Sequence, residues 1–210
     1  MNPTLVISYL ELRKAIGVLG IALPFLVSIG AYLLAHTSLE CSISNYYYTK
    51  THDVLVGTLC AVGFFLFAYK GYERQDSIAG NLACIFAVGV ALFPTAQEPP
   101  SCSAHIGFSL HGTFAALLFL TLAYFSLFLF TKTDSTKTPT PQKLKRNAVY
   151  KVCGYVMLTC ILLIGALNFL PQDTTAAIEM HHPVFWLEAI AIVVFGVSWL
   201  TKGEAILADR

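Results

Sequence analysis

Six long apolar stretches separated by short polar segments dominate the chain: about Ala15–Ala35, Asp53–Tyr69, Ser77–Phe93, His105–Phe130, Val149–Leu170 and Val184–Thr201. A helix needs about 20 mostly apolar residues to cross the hydrocarbon core of a bilayer, and each stretch is near that length. The runs are continuous rather than alternating, which excludes a β-barrel. The pattern therefore predicts an all-α, polytopic membrane helix bundle of six transmembrane helices, forming one domain over residues 1–210. The third stretch is short and the fourth long, so their tilts should differ. Arg13 and Lys14 precede the first stretch as they would in a signal peptide. That stretch is too long for a cleaved apolar region and lacks a small-x-small site, so it reads as a retained helix.

Composition sharpens the class. Apolar residues make up 56 % of the chain and charged residues 12 %, with a mean hydropathy of +0.68. Soluble domains carry about 25 % charge, and disordered chains are short of apolar residues; both classes are excluded. The net charge of +1 conceals an asymmetry. Six alternating spans put twelve of the thirteen Lys and Arg residues on one side, with Lys50 alone on the other. The acids divide six and six, so the sides carry +6 and −5 with neutral His. Basic loops stay cytoplasmic, which predicts an N-in, C-in protein of the plasma or inner membrane. The expected partners are membrane lipids and no nucleic acid; the pattern leaves the oligomeric state open.

Residues 131–148 (TKTDSTKTPTPQKLKRNA) read as a flexible cytoplasmic linker. Its Lys143, Lys145 and Arg146, with Lys151, could rest on anionic lipid at about 1 kcal/mol each; setting topology is the plainer reading. In the third span, Ala79, Ala83, Ala87 and Ala91 form a stripe that lets backbones approach closely, as expected of a central helix. Trp186, Trp199 and Tyr46–Tyr48 are placed as interfacial anchors. Cys60, Cys84, Cys153 and Cys160 fall within spans as small hydrophobes. Cys41 and Cys102 fall in outer loops, where an oxidising compartment would permit a disulfide between them.

The candidate chemistry lies on the outer side, to which the pattern assigns His36, His52, His105, His111, His181 and His182. Asp53 follows His52, and Glu188 follows the His181–His182 pair. Counting back from Lys202 sets Glu188 about 9 Å inside the boundary. A carboxylate at that depth is costly and signals function or a buried structural partner. Neutral imidazoles and carboxylates suit a zinc ion with an open position for water, which would generate a hydroxide nucleophile. His105, His111 and His182 are the expected ligands and Glu188 or Asp53 the base, with His52, His181, Ser44 and Ser109 as further site residues. The accessible bond would be a lipid ester, amide or phosphoester at the outer leaflet, making the chain a metal-dependent lipid hydrolase or remodelling enzyme. A non-catalytic scaffold or subunit, and a proton- or metal-coupled transporter or sensor, are the alternatives.

The set Ser44-Asn45, His52-Asp53, His105/His111 and His181-His182 resembles the Ser, His and Asp content of the CREST membrane hydrolases, which include alkaline ceramidases. The resemblance implies a zinc-dependent amidase buried among the helices. That superfamily has seven core helices and spaces its terminal His pair along a helix, whereas this pair is adjacent. The whole pattern also resembles small uncharacterised bacterial six-helix membrane proteins, a likeness that implies no activity.

Overall fold

Local capping chemistry sets where each helix begins. Ser8 accepts the Glu11 N–H at 3.2 Å and starts α1 at Tyr9 (Tyr9–Ala35), so Arg13 and Lys14 lie on the helix. Helix α2 spans His52–Ala68. A reciprocal capping box between Glu73 and Asp76 opens α3 (Arg74–Leu92). Ser109 accepts the Gly112 N–H at 2.9 Å and opens α4 (Leu110–Tyr124), which runs on as a π-helical turn, Phe125–Leu129. Pro141 begins α5 (Pro141–Leu167), and Thr140 Oγ1 accepts the Lys143 N–H at 3.1 Å. Pro183 begins α6 (Pro183–Lys202), as suits a residue that lacks an N–H. The structure, a computed structural model, describes residues 8–71, 73–97, 102, 109–133, 138–167, 169–170, 174, 178 and 180–208.

The described residues contain no strand. Five helices, α1, α3, α4 with its π turn, α5 and α6, are long and apolar enough to cross a membrane, while α2 has 17 residues. Large apolar side chains such as Leu33, Phe64, Ile85 and Leu162 are exposed on the outside of the bundle, a surface suited to lipid rather than water. The chain is a multi-pass integral membrane protein. The expected linker over 131–148 is shorter than the sequence implied. Residues 141–148 form the first turns of α5, because Pro and a Thr cap start a helix there.

Each helix packs on its neighbours in chain order, and α6 returns to α1, closing a ring. Small residues allow the seam. A Cβ on Gly17 would stand 2.8 Å from the Gly196 carbonyl oxygen, and one on Gly196 would stand 2.6 Å from that of Gly17. At the α2–α3 contact a Cβ on Gly80 would meet the Leu66 oxygen at 2.5 Å. Backbones this close gain dispersion contacts that lipid tails cannot match. The stripe Ala79, Ala83, Ala87 and Ala91 is buried as expected of a close-packed face. The opposite face of α3 exposes Ile78, Leu82 and Ile85, so α3 is a member of the ring, and among the described residues no helix is central.

Two expected interfacial residues are core residues instead. Trp199 is fully buried and meets Tyr69, Phe125 and Phe130 edge-on or tilted, with ring centroids 5.1–5.5 Å apart. The π turn presents Phe125 to it and brings Ser126 Oγ within 2.8 Å of Ser198 Oγ. Tyr46 is 1 % exposed and packs on Phe185. Trp186 and Tyr48 are exposed, as anchors would be.

Candidate functional site

The segment after α1 carries the polar centre of the molecule. Cys41 is disulfide-bonded to Cys102, with Cα atoms 5.4 Å apart. Ser42 Oγ accepts the Asn45 N–H at 3.0 Å, a hydroxyl-to-backbone bond of the kind that starts a turn, and residues Ser44–Tyr48 form a 3₁₀ helix. Asn45 Nδ2 donates to Glu40 at 2.8 Å, and the Tyr46 hydroxyl accepts the Glu40 N–H at 3.3 Å. Burial pushes the Tyr46 pKa up, so the phenol stays protonated. The Phe185 N–H donates to the Cys41 carbonyl at 3.0 Å, and the Tyr48 hydroxyl to that of Thr95 at 2.6 Å. One covalent bond and these hydrogen bonds tie the segment to α6 and to the chain beyond α3.

This framework sets Ser44 between two side chains from distant helices. Ser44 Oγ lies 2.9 Å from His111 Nε2, and His111 Nδ1 lies 2.8 Å from the Phe93 carbonyl oxygen. A carbonyl only accepts, so Nδ1 carries the proton and Nε2 turns its lone pair to the serine. Ser44 then donates to His111, the geometry of a hydroxyl nucleophile with its base. On the other side Glu188 Oε2 accepts the Ile43 N–H at 2.7 Å and the Ser44 N–H at 3.3 Å. Glu188 Oε1 is 3.4 Å from Ser44 Oγ, a longer contact than that to His111. Glu188 therefore positions the Ser44 backbone, the kind of buried structural partner its depth in α6 had left open. His111 is 8 % exposed and Ser44 half-buried.

The other expected site residues lie elsewhere. Asp53 is fully exposed at the start of α2 and lies 2.9 Å from His52 Nδ1, while His52 packs against Tyr47. Ser109 serves as the cap of α4. His181 is exposed, and His105 lies outside the described residues. His182 takes a left-handed conformation (φ 51°) before Pro183, with Nδ1 3.5 Å from Cys102 Sγ. Among the described residues, the one group of three possible metal ligands within mutual reach is Cys41, Cys102 and His182. Its two sulfurs are joined to each other and offer no thiolate, the form in which cysteine binds zinc. His111 and His182 thus face different partners, and the described donors do not converge as zinc needs. The Phe93 carbonyl and the Ile43 and Ser44 amides went unforeseen, because main-chain groups leave no mark in residue type.

Below the serine the ring encloses a cavity of about 70 Å³. Apolar side chains of α1, α2, α3, α4 and α6 line it, among them Leu23, Leu59, Leu118 and Ile192, and its polar groups are Ser44, Thr58 and Glu188. A smaller cavity between α2 and α3 reaches Ser44 and His111 past Tyr47 and Pro94. The Ser44–His111 pair thus stands where an apolar interior meets the loop end of the bundle. No protein-family model matches this chain, and neither a curated protein nor a solved structure is similar to it.

Proposed function

We propose that the chain is a lipid hydrolase or lipid-remodelling enzyme that cleaves an acyl ester or amide, with Ser44 as nucleophile and His111 as general base. The Ser44–His111 contact, with His111 held in one tautomer by Phe93, carries the reading. Ser44 Oγ attacks the acyl carbon as His111 Nε2 takes its proton. The leaving alcohol or amine takes that proton as the carbonyl re-forms, leaving an acyl group on Ser44. Water, deprotonated by His111, then releases the acid. Glu188 pins the Ser44 backbone by accepting the Ile43 and Ser44 amides. The cavity beside Ser44 is apolar, as the entry of an alkyl-chain subsite would be, with room at about 70 Å³ for only a few carbons.

The same reading turns the disulfide end of the ring outward and leaves both termini cytoplasmic, with α2 as the sixth span. Supporting it are the Lys and Arg residues gathered at the other end and a disulfide, which persists in oxidising compartments. The lipid would be that of the outer leaflet of a plasma or inner membrane. In the CREST-like version of the activity, zinc would replace the serine as the source of the nucleophile. His111 would then give up Phe93 or Ser44.

A fluorophosphonate probe on purified protein tests the proposal. Ser44 is expected to be labelled, and Ser44→Ala to lose the label. His111→Gln is expected to slow labelling and release of fatty acid from ester lipids by about 10²–10⁴-fold, the usual contribution of a general base. Stoichiometric zinc with no Ser44 adduct would transfer the activity to the metal version. A second reading, a non-catalytic scaffold, draws on the same bonds. Ser44, His111 and Glu188 join three segments of the ring, as a structural network would. It predicts no adduct, no zinc and a loss of stability in each variant.

A further inference from the structure

The disulfide that anchors the Ser44 segment has a third donor beside it. His182 Nδ1 lies 3.5 Å from Cys102 Sγ, and the ligand atoms of Cys41, Cys102 and His182 all fall within 4.8 Å of one another. Both cysteines are buried.

His182 gives up ordinary backbone geometry to stand there. A residue before a proline is pushed towards extended backbone, and one that precedes a helix usually caps it from that same region. His182 instead takes φ 51° and ψ 51°, and its side chain makes no cap bond. Cys102 is left-handed as well, at φ 54°. Such conformations in non-glycine residues are held by their surroundings and gather at functional sites. Sulfur is only a weak acceptor, so the contact with the disulfide offsets little of that cost.

The same three atoms are spaced for a different bond. Zinc holds thiolate sulfur at about 2.3 Å and imidazole nitrogen at about 2.0–2.1 Å in a tetrahedron. Ligands so held stand about 3.5 Å apart for nitrogen to sulfur and about 3.8 Å for sulfur to sulfur. The first spacing already exists, and the second needs only that the two sulfurs part. Cys41 and His182 keep other ties when they do. The Phe185 N–H donates to the Cys41 carbonyl at 3.0 Å and the Trp186 N–H to that of His182 at 3.2 Å. Both residues are thereby held to the first turn of α6.

We infer that reduction of the Cys41–Cys102 disulfide creates a zinc site of Cys41 Sγ, Cys102 Sγ and His182 Nδ1, with its fourth position for water. Two external thiols open the bond, giving two cysteine thiols and one external disulfide. Zn²⁺ displaces the two thiol protons, which pass to water, and neutral His182 donates its Nδ1 lone pair. Reoxidation of the sulfurs ejects the ion. Two thiolates with an imidazole suit zinc, whereas calcium and magnesium take oxygen ligands. The site is independent of the Ser44 chemistry, because the disulfide form takes no metal.

The full chain in nanodiscs, reduced by a phosphine, provides the test. The phosphine delivers the same two electrons, takes up the oxygen of a water molecule and leaves the metal free. Alkylation counted by mass spectrometry reports whether both sulfurs have become thiols. Cobalt(II), which absorbs strongly when bound to thiolate, is then titrated in, and zinc is added to displace it. One cobalt per reduced chain is expected, and none per oxidised chain. Zinc should slow alkylation of Cys41 and Cys102 at least about tenfold and leave Cys153 and Cys160 unchanged. His182→Ala should weaken cobalt binding about 100-fold or more, since groups that merely orient a ligand already cost about 10–100-fold. His181 is exposed, and His181→Ala should leave binding within about twofold. If His182→Ala does not fold, zinc protection of the cysteine pair in the unmutated chain decides alone. The inference fails if the phosphine cannot open the disulfide in the folded chain or if the reduced chain takes no cobalt. It also fails if His182→Ala binds cobalt as well as the unmutated protein, or if zinc leaves alkylation of the pair unchanged.

Discussion

The two ends of the ring solve the same problem, closing six helices, with different chemistry. At the disulfide end a covalent bond and a half-buried carboxylate hold an irregular segment in place. That arrangement fixes individual atoms, and it sets Ser44 2.9 Å from His111. At the other end four aromatic rings pack around Trp199 and cations lie over their faces. That arrangement fixes a surface and its charge, with fewer directional bonds. The difference teaches where each kind of task can be placed. Holding one hydroxyl against one imidazole takes donors and acceptors set by the main chain, whereas closing a helix seam takes only rings packed edge to face.

The largest break in this comparison should come from Ser44→Ala. Acyl-lipid turnover is expected to fall by at least about 10³-fold, while the thermal midpoint in detergent moves little. A large drop in stability with activity intact would make Ser44 a structural residue instead. Next is Trp199→Ala, which removes the centre of the aromatic floor and should cost about 3–5 kcal/mol of stability. Trp199→Phe should cost under about 1.5 kcal/mol, because Nε1 has no partner to lose among the described residues. Equal losses in the two variants, read by chemical denaturation in micelles, would mean that the indole N–H has a structural bond.

The disulfide ranks third. Cys41→Ala with Cys102→Ala should cost about 2–4 kcal/mol, and hydrogen exchange should rise around Ser44–Tyr48 while the helix ends near Trp199 stay protected. Uniform loosening of both ends would abolish the contrast. Smallest is Glu188→Gln, which keeps the shape but weakens the acceptor of the Ile43 and Ser44 amides. A loss of about 1–2 kcal/mol is expected, with kcat falling more than KM rises. A change confined to KM would make Glu188 a substrate contact.

How much of this was legible in the residues depends on the reach of the interactions. Continuous apolar runs report directly on apolar helices: a helix lies on each of the six runs, and five of them are long and apolar enough to span a membrane. The start of α5 was missed by eight residues because Lys- and Thr-rich polarity outweighed the signal of Pro141 after Thr140. Glu188 stood out by its depth, His111 as one of the outer-side histidines, and Ser44 through the CREST-like residue set. What joined them was hidden. Ser44 lies 67 residues from His111 and 144 from Glu188, and three of the five contacts go to main-chain amides or carbonyls. Asp53 and Ser109 show the converse, since an acid in a first helical turn and a serine before one serve the helix itself.

The closure of α1 on α6 also orders events in time. Glu188 stands 145 residues after Ile43, so at about 5–20 residues per second a ribosome needs roughly 7–30 s between them. Throughout that interval the glycine seam of α1 faces lipid without its partner, and Ser44 lacks the carboxylate that holds its backbone. Ser44 therefore enters the membrane in an unassembled setting. The bonds from Glu188 to the Ile43 and Ser44 amides form only when α6 arrives.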